Sequence, residues 1–209
     1  MGEVVEEAAA AALRGRLVVI PTDTVYGIGT RPDLPEATRR IFAAKRRPRD
    51  MDLPVLVPSL DVAAEIAVLD DRARALARGF WPGALTIVAR RTETSGSWHL
   101  GGTGESIGVR MPAHPLALAV LERAGPLAVT SANRSGEATP GTCRDIEEVF
   151  GGAVEVYVCA DGEPLAGSPS TVLDLTGASA SILRAGSDAR HIERWLAKNP
   201  ELDTQNGTT

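Results

Sequence analysis

Several predicted strands begin or end at side chains that donate hydrogen bonds or carry positive charge. Arginine binds phosphate and carboxylate through two parallel hydrogen bonds, and hydroxyl and amide groups add further contacts. Burying a strand-end arginine is costly unless an anion pairs with it, so these residues together would form a pocket for an anionic ligand. The set comprises Thr22, Thr24, Arg110, Ser131, Asn133 and Arg184 after strands, Ser170 before a strand, and Lys45 and Arg47 at the end of a helix.

The segment 17–27 shows this arrangement most clearly. Residues 17–20, Leu-Val-Val-Ile, are apolar and largely β-branched, which predicts a buried strand that Pro21 ends. Thr22, Asp23 and Thr24 follow directly. Ligands of open α/β sheets bind beyond the carboxyl ends of the strands, so we expect a pocket at these three residues. The alternative is that they only turn the chain and cap a helix.

Motifs of other enzyme classes are absent from the sequence. The chain has no Walker loop ending in Gly-Lys-Ser/Thr, no Gly-x-Gly-x-x-Gly after a strand and no Gly-x-Ser-x-Gly. The three histidines, His99, His114 and His191, are far apart, and none is near a cysteine. The sequence therefore supports neither a zinc site nor a hydrolytic triad, and His114 is interpreted as a residue that begins a helix.

Helices and strands alternate along the chain and must position these side chains. Helical spacing of apolar residues predicts helices over 4–14, 34–47, 59–68, 70–80, 114–124, 142–150 and 188–197, the third and fourth capped by Ser59 and Asp70. Short apolar runs predict strands over 17–20, 53–57, 85–89, 107–110, 127–129, 154–159, 172–175 and 181–183. A glycine-rich loop is expected over 92–105, and a second loop over 161–169.

Length and composition limit the classes of protein that this chain can be. With 209 residues, 44% of them hydrophobic, the chain can bury one good-sized core, so we expect one domain over 1–197 and a disordered tail over 198–209. The formal net charge of −5 does not draw the whole protein to nucleic acid or to anionic membrane. No apolar run reaches the roughly 18 residues of a membrane span.

The cysteines and the N-terminus indicate a compartment. Cys143 and Cys159 have no metal-ligand spacing, so we expect small core or surface residues in a reducing environment and not the disulfide framework of a secreted domain. Residues 1–12 contain glutamates and no basic residue, unlike a signal peptide. A cytoplasmic protein without membrane partners is the expectation.

Seven short motifs together resemble one known family. The first is Pro-Thr-Asp-Thr-Val-Tyr-Gly at 21–27. All seven occur in the family's order and at compatible spacing, which chance seldom produces. The chain resembles the YrdC family, the threonylcarbamoyl-adenylate synthases, in its short bacterial form. The other six are Lys-x-Arg-Pro at 45–48, Trp-Pro-Gly-x-Leu-Thr at 81–86, Val-Arg-Met-Pro-x-His-Pro at 109–115, Ser-Ala-Asn-x-Ser-Gly at 131–136, Ser-Thr-Val at 170–172 and Leu-Arg-x-Gly at 183–186.

The resemblance implies a fold and a reaction. The fold is a single-domain twisted α/β sheet, mixed parallel and antiparallel, flanked by helices and holding a large positively charged cavity. The reaction joins L-threonine, bicarbonate or CO2, and ATP into threonylcarbamoyl-AMP and pyrophosphate. The product would pass to the machinery that transfers the threonylcarbamoyl group to adenosine in tRNA. Mg²⁺ is expected on the phosphates of ATP, with no dedicated metal site in the protein, and the loop 92–105 would be a lid.

The resemblance also assigns roles to individual residues. Lys45 and Arg47 would be catalytic, and Asn133 would complete the polar wall with Lys45. Local turn bonding is the alternative role for Ser106 and Thr139, since loop hydroxyls often serve turns. Threonine would be bound by Thr24, Arg110 and Ser170, and ATP by Arg47, Ser106, Ser131, Asn133, Thr139 and Arg184.

The sequence departs from the family pattern at three positions near the threonine side. Asp52 lies in a segment that commonly reads Asn-Pro-Leu, Leu56 replaces a histidine of long-form members, and Ala84 replaces a proline. These changes bear on how threonine is selected.

Two other functions remain open from the sequence. One is a double-stranded RNA-binding or ribosome-maturation module, with phosphate contacts from the basic residues between 39 and 49. A weak RNA contact is compatible with the first function as well. The other is the carbamoyl-transfer module of hydrogenase-maturation proteins, which normally lies in a longer chain with zinc-finger cysteines.

Overall fold

The computed structural model describes residues 2–160, 165 and 167–200. In chain order the elements are α1 (Gly2–Leu13), β1 (Val18–Ile20), β2 (Gly27–Thr30), α2 (Pro35–Lys45), β3 (Val55–Leu56), α3 (Leu60–Ile66), α4 (Asp71–Phe80), β4 (Leu85–Arg90), α5 (Glu93–Gly96), β5 (Ser106–Arg110), α6 (Pro115–Ala124), β6 (Leu127–Ser131), α7 (Cys143–Phe150), β7 (Val156–Tyr157), β8 (Thr171–Asp174), β9 (Ser181–Arg184) and α8 (Ala189–Lys198), with a 3-10 turn at Gly151–Ala153 after α7.

The strands of the described residues form a mixed sheet with the order β7-β1-β2-β6-β3-β5-β4-β8-β9. Neighbouring strands run parallel in the pairs β1–β7, β3–β5 and β4–β8 and antiparallel elsewhere. The predicted mixed sheet flanked by helices is confirmed.

Alternating side chains of the central strands fill two apolar cores, one on each face of the sheet. Val19 of β1 and Ala128 of β6 belong to the larger core, where α2, α3, α4, α7 and α8 pack. Val18 and Ile20 point the other way and pack with Val129 against α1 and α6. Successive residues of a strand face opposite sides, so both faces of these strands are buried and their sequences are continuously apolar.

Helix starts agree with the capping predictions. Ser59 Oγ accepts from the Val62 N–H at 3.2 Å at the start of α3, and Asp70 Oδ1 accepts from the Ala73 N–H at 2.7 Å at the start of α4. His114 Nδ1 accepts from the Leu116 N–H at 3.3 Å, so this histidine begins α6 as predicted.

The strand β2 was not predicted, because its sequence Gly-Ile-Gly-Thr contains two glycines. Both glycines are required by close packing against β6. A Cβ on Gly27 would lie 2.4 Å from Cγ1 of Val129, and one on Gly29 would lie 2.6 Å from Cγ2 of the same residue. Glycine in a strand marks close approach of a neighbour, and here that neighbour is the Val129 side chain.

The expectation of unpaired cysteines is wrong. Cys143 and Cys159 form a disulfide with a Cα–Cα distance of 5.5 Å, although 16 residues separate them. The parallel pairing of β7 with β1 brings the chain after Tyr157 beside the start of α7, where Cys143 is the first residue. Spacing along the chain gave no indication of this, because the contact depends on the tertiary course of β7.

The C-terminal helix runs slightly further than predicted. It extends to Lys198, and Asn199 Nδ2 donates to the Trp195 carbonyl at 2.7 Å. The predicted disordered tail lies, from residue 201 onward, outside the described residues, as do residues 161–164 and 166 of the predicted loop over 161–169. None of the described helices is both long enough and apolar enough to span a bilayer.

Candidate active site

A cavity of about 790 Å³ lies on one face of the sheet. Its floor is made of alternate residues of neighbouring strands, including Thr86 and Val88 of β4 and Ser106 and Gly108 of β5. Leu56 and Val129 belong both to the lining and to the α1–α6 core, so the cavity lies on the same side of the sheet as those helices. We expected a pocket beyond the carboxyl ends of the strands, at Thr22, Asp23 and Thr24, and Thr22 and Thr24 do line this cavity. Most neighbouring strands here are antiparallel, so their carboxyl ends do not share an edge, and the cavity occupies a face instead.

The cavity collects most of the residues predicted for the site. Lys45, predicted as catalytic, is the exception and lies behind the wall. The predicted residues in the lining are Thr24, Arg47, Ser106, Arg110, Ser131, Asn133, Thr139, Ser170 and Arg184.

Arg110 occupies the end of β5 and is held from three directions. Its Nη2 donates to Oδ1 of Asp23 at 2.7 Å, its Nη1 to Oγ1 of Thr24 at 3.0 Å, and its Nε to the Gly83 carbonyl at 2.9 Å. Burial lowers the pKa of Arg110, and the charge of Asp23 opposes that shift. Asp23 was placed near the pocket by the sequence but was given no role; it fixes the orientation of this guanidinium.

The hydroxyl of Thr24 is oriented by the preceding turn. Thr22 Oγ1 donates to the Val25 carbonyl at 2.5 Å and lies 2.9 Å from Thr24 Oγ1. Since the Thr22 proton is used on Val25, Thr24 donates to Thr22 and accepts from Arg110. The turn thus caps no helix and presents Thr24 to the cavity, which decides between the two interpretations of this segment.

Ser170 and Arg184 connect the two sides of the cavity. Arg184, the last residue of β9, donates from Nη2 to Ser170 Oγ and from Nε to the Ser170 carbonyl, both at 3.0 Å. Ser170 Oγ is also 2.9 Å from Oγ1 of Thr86. Thr86 was matched as part of a motif but was not assigned to the site. The residue predicted for threonine and the arginine predicted for ATP therefore contact each other.

Lys45 supports the wall from behind. Its Nζ donates to the carbonyls of Ser131 and Asn133, both at 2.6 Å, and to Asn133 Oδ1 at 3.2 Å, and the residue is 1% exposed. Burial, and secondarily the charge of Arg47, lowers the pKa of Lys45 to about 8. Ser131 Oγ donates to Asn133 Oδ1 at 2.5 Å, so the lysine, serine and asparagine form one connected group.

Three arginines share the cavity. Arg47 donates from Nη2 to the Asp52 carbonyl at 2.9 Å, and burial lowers its pKa, with the charge of Arg184 lowering it further. Arg184 also lowers the pKa of Arg110, after the larger effect of burial. Arg184 thus lies within electrostatic range of both other cations. Such mutual repulsion in a partly buried space favours a bound anion.

Carboxylates that were not among the predicted site residues line the same cavity. They are Asp52, Glu137 and Asp174. The predicted excess of positive charge in the cavity therefore stays a prediction. Burial raises the pKa of Asp52, opposed by the charges of Arg91 and Arg47. The spacing of these three acidic residues along the sequence does not indicate that they line one cavity.

The glycine-rich loop predicted as a lid is anchored along part of its length. Leu53 donates its N–H to the Leu100 carbonyl at 2.7 Å, and Gly102 donates to the Arg49 carbonyl at 3.2 Å. Arg91 donates from Nε to the Ser106 carbonyl at 2.9 Å and from Nη1 to the Trp98 carbonyl at 2.8 Å. These hydrogen bonds anchor this part of the loop to neighbouring segments, and its role as a lid stays a prediction.

Local turn bonding was the alternative role for the hydroxyls of Ser106, now the first residue of β5, and Thr139. Ser106 and Thr139 line the cavity. In the described residues no hydrogen bond of either hydroxyl is seen, so the structure gives neither of them a local turn bond of its side chain. This arrangement leaves both available to a ligand.

The basic run between 39 and 49 does not form a single surface. Arg39 pairs with Glu36 at 2.6 Å, and Arg40 donates to the Gly15 carbonyl at 2.6 Å. Lys45 and Arg47 serve the cavity, as described above. Arg46 and Arg49 are exposed, as are Arg39 and Arg40, and the RNA-binding alternative stays a prediction.

Comparison with known proteins places the chain in a family. Residues 10–186 match the Sua5/YciO/YrdC family model, described as "Telomere recombination". The chain is 39% identical over 174 residues to threonylcarbamoyl-AMP synthase of Pyrococcus abyssi, covering 82% of this chain and 51% of that protein. It is 36% identical over 170 residues to threonylcarbamoyl-AMP synthase of Escherichia coli, covering 78% of this chain and 86% of that one.

A solved structure has the same fold. The crystal structure of P. abyssi Sua5 in complex with L-threonine matches with a TM-score of 0.81 and 36% identity, over 89% of this chain and 55% of that one. The chain thus spans about half the length of the P. abyssi protein and most of the E. coli one. The family model covers most of the chain, and the sequence and structural relatives agree with it. The chain belongs to the Sua5/YciO/YrdC family.

Proposed function

We propose that this protein is an L-threonylcarbamoyladenylate synthase, a nucleotidyltransferase that forms threonylcarbamoyl-AMP and pyrophosphate from L-threonine, bicarbonate or CO2, and ATP. The observation that carries the proposal is the position of Arg184. It holds Ser170 on one side and is within electrostatic range of Arg47 and Arg110 on the other. One cavity thus offers three guanidinium groups, enough to bind a triphosphate and a carboxylate at the same time.

The threonine half of the cavity would be built on Arg110. Its guanidinium, fixed by Asp23, would bind the threonine carboxylate. The hydroxyls of Thr24 and Ser170 would contact the amino acid from either side. Leu56, which is paired in register with Arg110 across β3 and β5, would give an apolar contact in place of the histidine of long-form members. That P. abyssi Sua5 has been solved in complex with L-threonine supports threonine as the ligand.

The nucleotide half would be built on Arg47 and Arg184. Their charges would bind the phosphates, with the Ser131–Asn133 wall and the hydroxyls of Ser106 and Thr139 as further donors. Lys45 would act as a positioning residue, because its three N–H groups are used on Ser131 and Asn133. No side-chain nucleophile is needed in this scheme.

The chemistry follows from these positions. The threonine amine takes up CO2 and loses a proton to give a carbamate, and a carbamate oxygen attacks the α-phosphorus as pyrophosphate leaves. The protein would contribute orientation and stabilisation of the negative charge that spreads over the phosphate oxygens. Arg184 is well placed for the second role, since it lies between the two halves.

Mg²⁺ would enter with ATP. Magnesium commonly keeps several waters and is held by phosphate oxygens with one or two carboxylates, and Asp52 and Glu137 are carboxylates of the lining. In the described part of the chain no group of three or more His, Cys, Asp or Glu could hold a metal ion. The ion would supply further neutralisation of the phosphate charge.

The test is pyrophosphate release from ATP and Mg²⁺, with threonine and bicarbonate each omitted in turn. We expect release only when both are present, because the carbamate must form before anything attacks the α-phosphorus. Equal release without threonine would show a plain ATP hydrolase and would overturn the proposal. Mass spectrometry of the products identifies threonylcarbamoyl-AMP directly.

A further inference from the structure

The disulfide between Cys143 and Cys159 joins two segments that form one wall of the cavity. Cys143 follows the segment that carries Glu137 and Thr139, and Cys159 precedes the segment that carries Leu165 and Ser170. The bond closes a loop of which α7 and β7 form the body. It is therefore a covalent connection beside the site, although neither sulfur lines the cavity.

Two hydrogen bonds of the described residues connect the second segment to the first segment and to the cavity lining. Leu165 donates its N–H to the Gly141 carbonyl at 2.9 Å, which joins the segments directly. Ala160 donates its N–H to Oη of Tyr26, a lining residue, at 3.1 Å. Both hydrogen bonds are close in sequence to the disulfide, so its reduction would remove a covalent constraint on the segments that form them.

Gly167, in the described part of the second segment, lies tightly against the threonine side. Gly167 approaches the backbone of Thr24 so closely that a Cβ on residue 167 would be 1.9 Å from the Thr24 carbonyl oxygen. A displacement of the segment would therefore alter both the backbone that orients Thr24 and the wall that contains Thr139. The disulfide is positioned to act on both halves of the cavity.

The two cysteines differ in a way that suits thiol–disulfide exchange. Cys159 is exposed, whereas Cys143 is half-buried and is the first residue of the eight-residue helix α7. A helix N-terminus stabilises a thiolate, so Cys143 is the better leaving group. Exposure and leaving-group stability thus both direct attack to Sγ of Cys159.

We propose that Cys143–Cys159 is a reversible redox modification site, reduced by dithiols, and that its reduction weakens ATP binding. A dithiol thiolate attacks Sγ of Cys159, the S–S bond breaks and Cys143 leaves as a thiolate that takes up a proton. The second thiol of the reductant then displaces Cys159 from the mixed disulfide. The protein gains two thiols and the reductant becomes a disulfide, so electrons and protons balance. The choice of ATP as the affected ligand rests on the proposed function.

The test compares the oxidised protein with protein reduced by dithiothreitol. Thiol titration under denaturing conditions should find no free thiol in protein purified without reductant and two per chain after reduction. Hydrogen exchange should then show the Leu165 amide exchanging about tenfold faster or more in the reduced form. Calorimetry with ATP and Mg²⁺ should show an affinity lower by about fivefold or more.

Matched variants separate reduction of this bond from other effects of the reductant. The double variant Cys143→Ser/Cys159→Ser should behave like reduced wild type with and without dithiothreitol. Two free thiols in protein purified without reductant, or an ATP affinity that reduction leaves unchanged, would overturn the inference. Faster Leu165 exchange on reduction, combined with no ATP binding in either form, would contradict the proposed function and the ATP step while leaving the redox site in place.

Discussion

Asp23 Oδ1 accepts one hydrogen bond from Nη2 of Arg110 at 2.7 Å and another from the N–H of Ala113 at 2.8 Å. The side chains of the arginine and the aspartate are 7% and 17% exposed, so the pair is shielded from solvent. Arg110 is thereby fixed in one orientation, and the start of α6 is connected to the turn that carries Thr24. If Asp23 orients Arg110 for the carboxylate of a ligand, part of the guanidinium must stay available to that ligand. In the described residues three of the five N–H groups of Arg110 are used, which leaves two.

The first prediction concerns this pair. Asp23→Asn keeps an acceptor of similar shape and removes the charge, so Arg110 should lose its fixed orientation. We expect threonine affinity to fall by roughly tenfold to a hundredfold, the usual value of one charged hydrogen bond, with ATP affinity little changed. Calorimetry with each ligand alone measures this. The control is Asp33→Asn, which removes the partner of Arg31 in a more exposed ion pair and should affect neither ligand. Equal losses for both ligands would contradict a role specific to Arg110.

The second prediction distinguishes two arginines. Arg110→Ala should mainly weaken threonine binding, whereas Arg184→Ala should weaken ATP binding and also threonine binding, because Arg184 holds Ser170. Each loss should be on the order of 1.5–3 kcal/mol. Lysine at either position should restore little, since a point charge cannot reproduce two parallel hydrogen bonds. An Arg184→Ala protein with normal threonine affinity would show that the contact to Ser170 has no part in threonine binding.

The third prediction concerns pH. The pKa of Lys45 is lowered to about 8, so its ammonium loses a proton in the folded protein before it would in the unfolded chain. The neutral amine has too few N–H groups for its three acceptors, and ATP affinity should fall as pH rises through about 8. Folding stability should not fall for this reason, because the unfolded chain binds more protons between pH 8 and 10.5 and this group's contribution to the unfolding free energy rises there.

Calorimetry with ATP across this pH range checks the third prediction. Lys45→Met should bind ATP weakly and lose the dependence, whereas Lys198→Met, at the exposed end of α8, should keep it. Lysine occurs only at positions 45 and 198, so the two side chains can be assigned and titrated separately by NMR. A Lys45 that titrates above pH 10 would contradict the prediction.

The fourth prediction concerns the close packing of β2. Gly29→Ala would place a Cβ 2.7 Å from the Ala128 carbonyl oxygen as well as against Val129, and backbone cannot move aside easily. We expect the free energy of unfolding to fall by about 1–3 kcal/mol, measured by urea denaturation. Gly96→Ala is the control, because no atom lies within 4 Å of the added Cβ, and its effect should stay within about 0.5 kcal/mol.

Residue types and local order predicted several of the side chains that line the cavity. The strand ends before Arg110 and Arg184 and the turn at Thr24 are local features, and the structure brings all three to one cavity. The position of Lys45 was not predictable, because a lysine before a helix end has the same sequence pattern whether it faces a ligand or supports a wall. Its role depends on Ser131 and Asn133, which are more than 80 residues away.

The strand order could not be derived from the sequence, and it changed the location expected for the cavity. β3 pairs with β5 and β6, and β4 pairs with β8, so neighbours in the sheet are distant in the chain. The same long-range packing joins Cys143 to Cys159 and explains the glycines of β2 through Val129. Tertiary contacts of this kind leave no periodic pattern in a single sequence.

Arg184 belongs to β9, which forms one end of the sheet in the described chain and pairs only with β8. Terminal strands open at a lower free energy than central ones, since half of their backbone groups have no ladder partner. The cation proposed to reach both substrates is therefore carried by a strand at the end of the sheet, and Leu183 beside it is 60% exposed. A bound triphosphate would join β9 to the interior of the protein through Arg184, so nucleotide binding would also be a local folding step at the margin of the sheet.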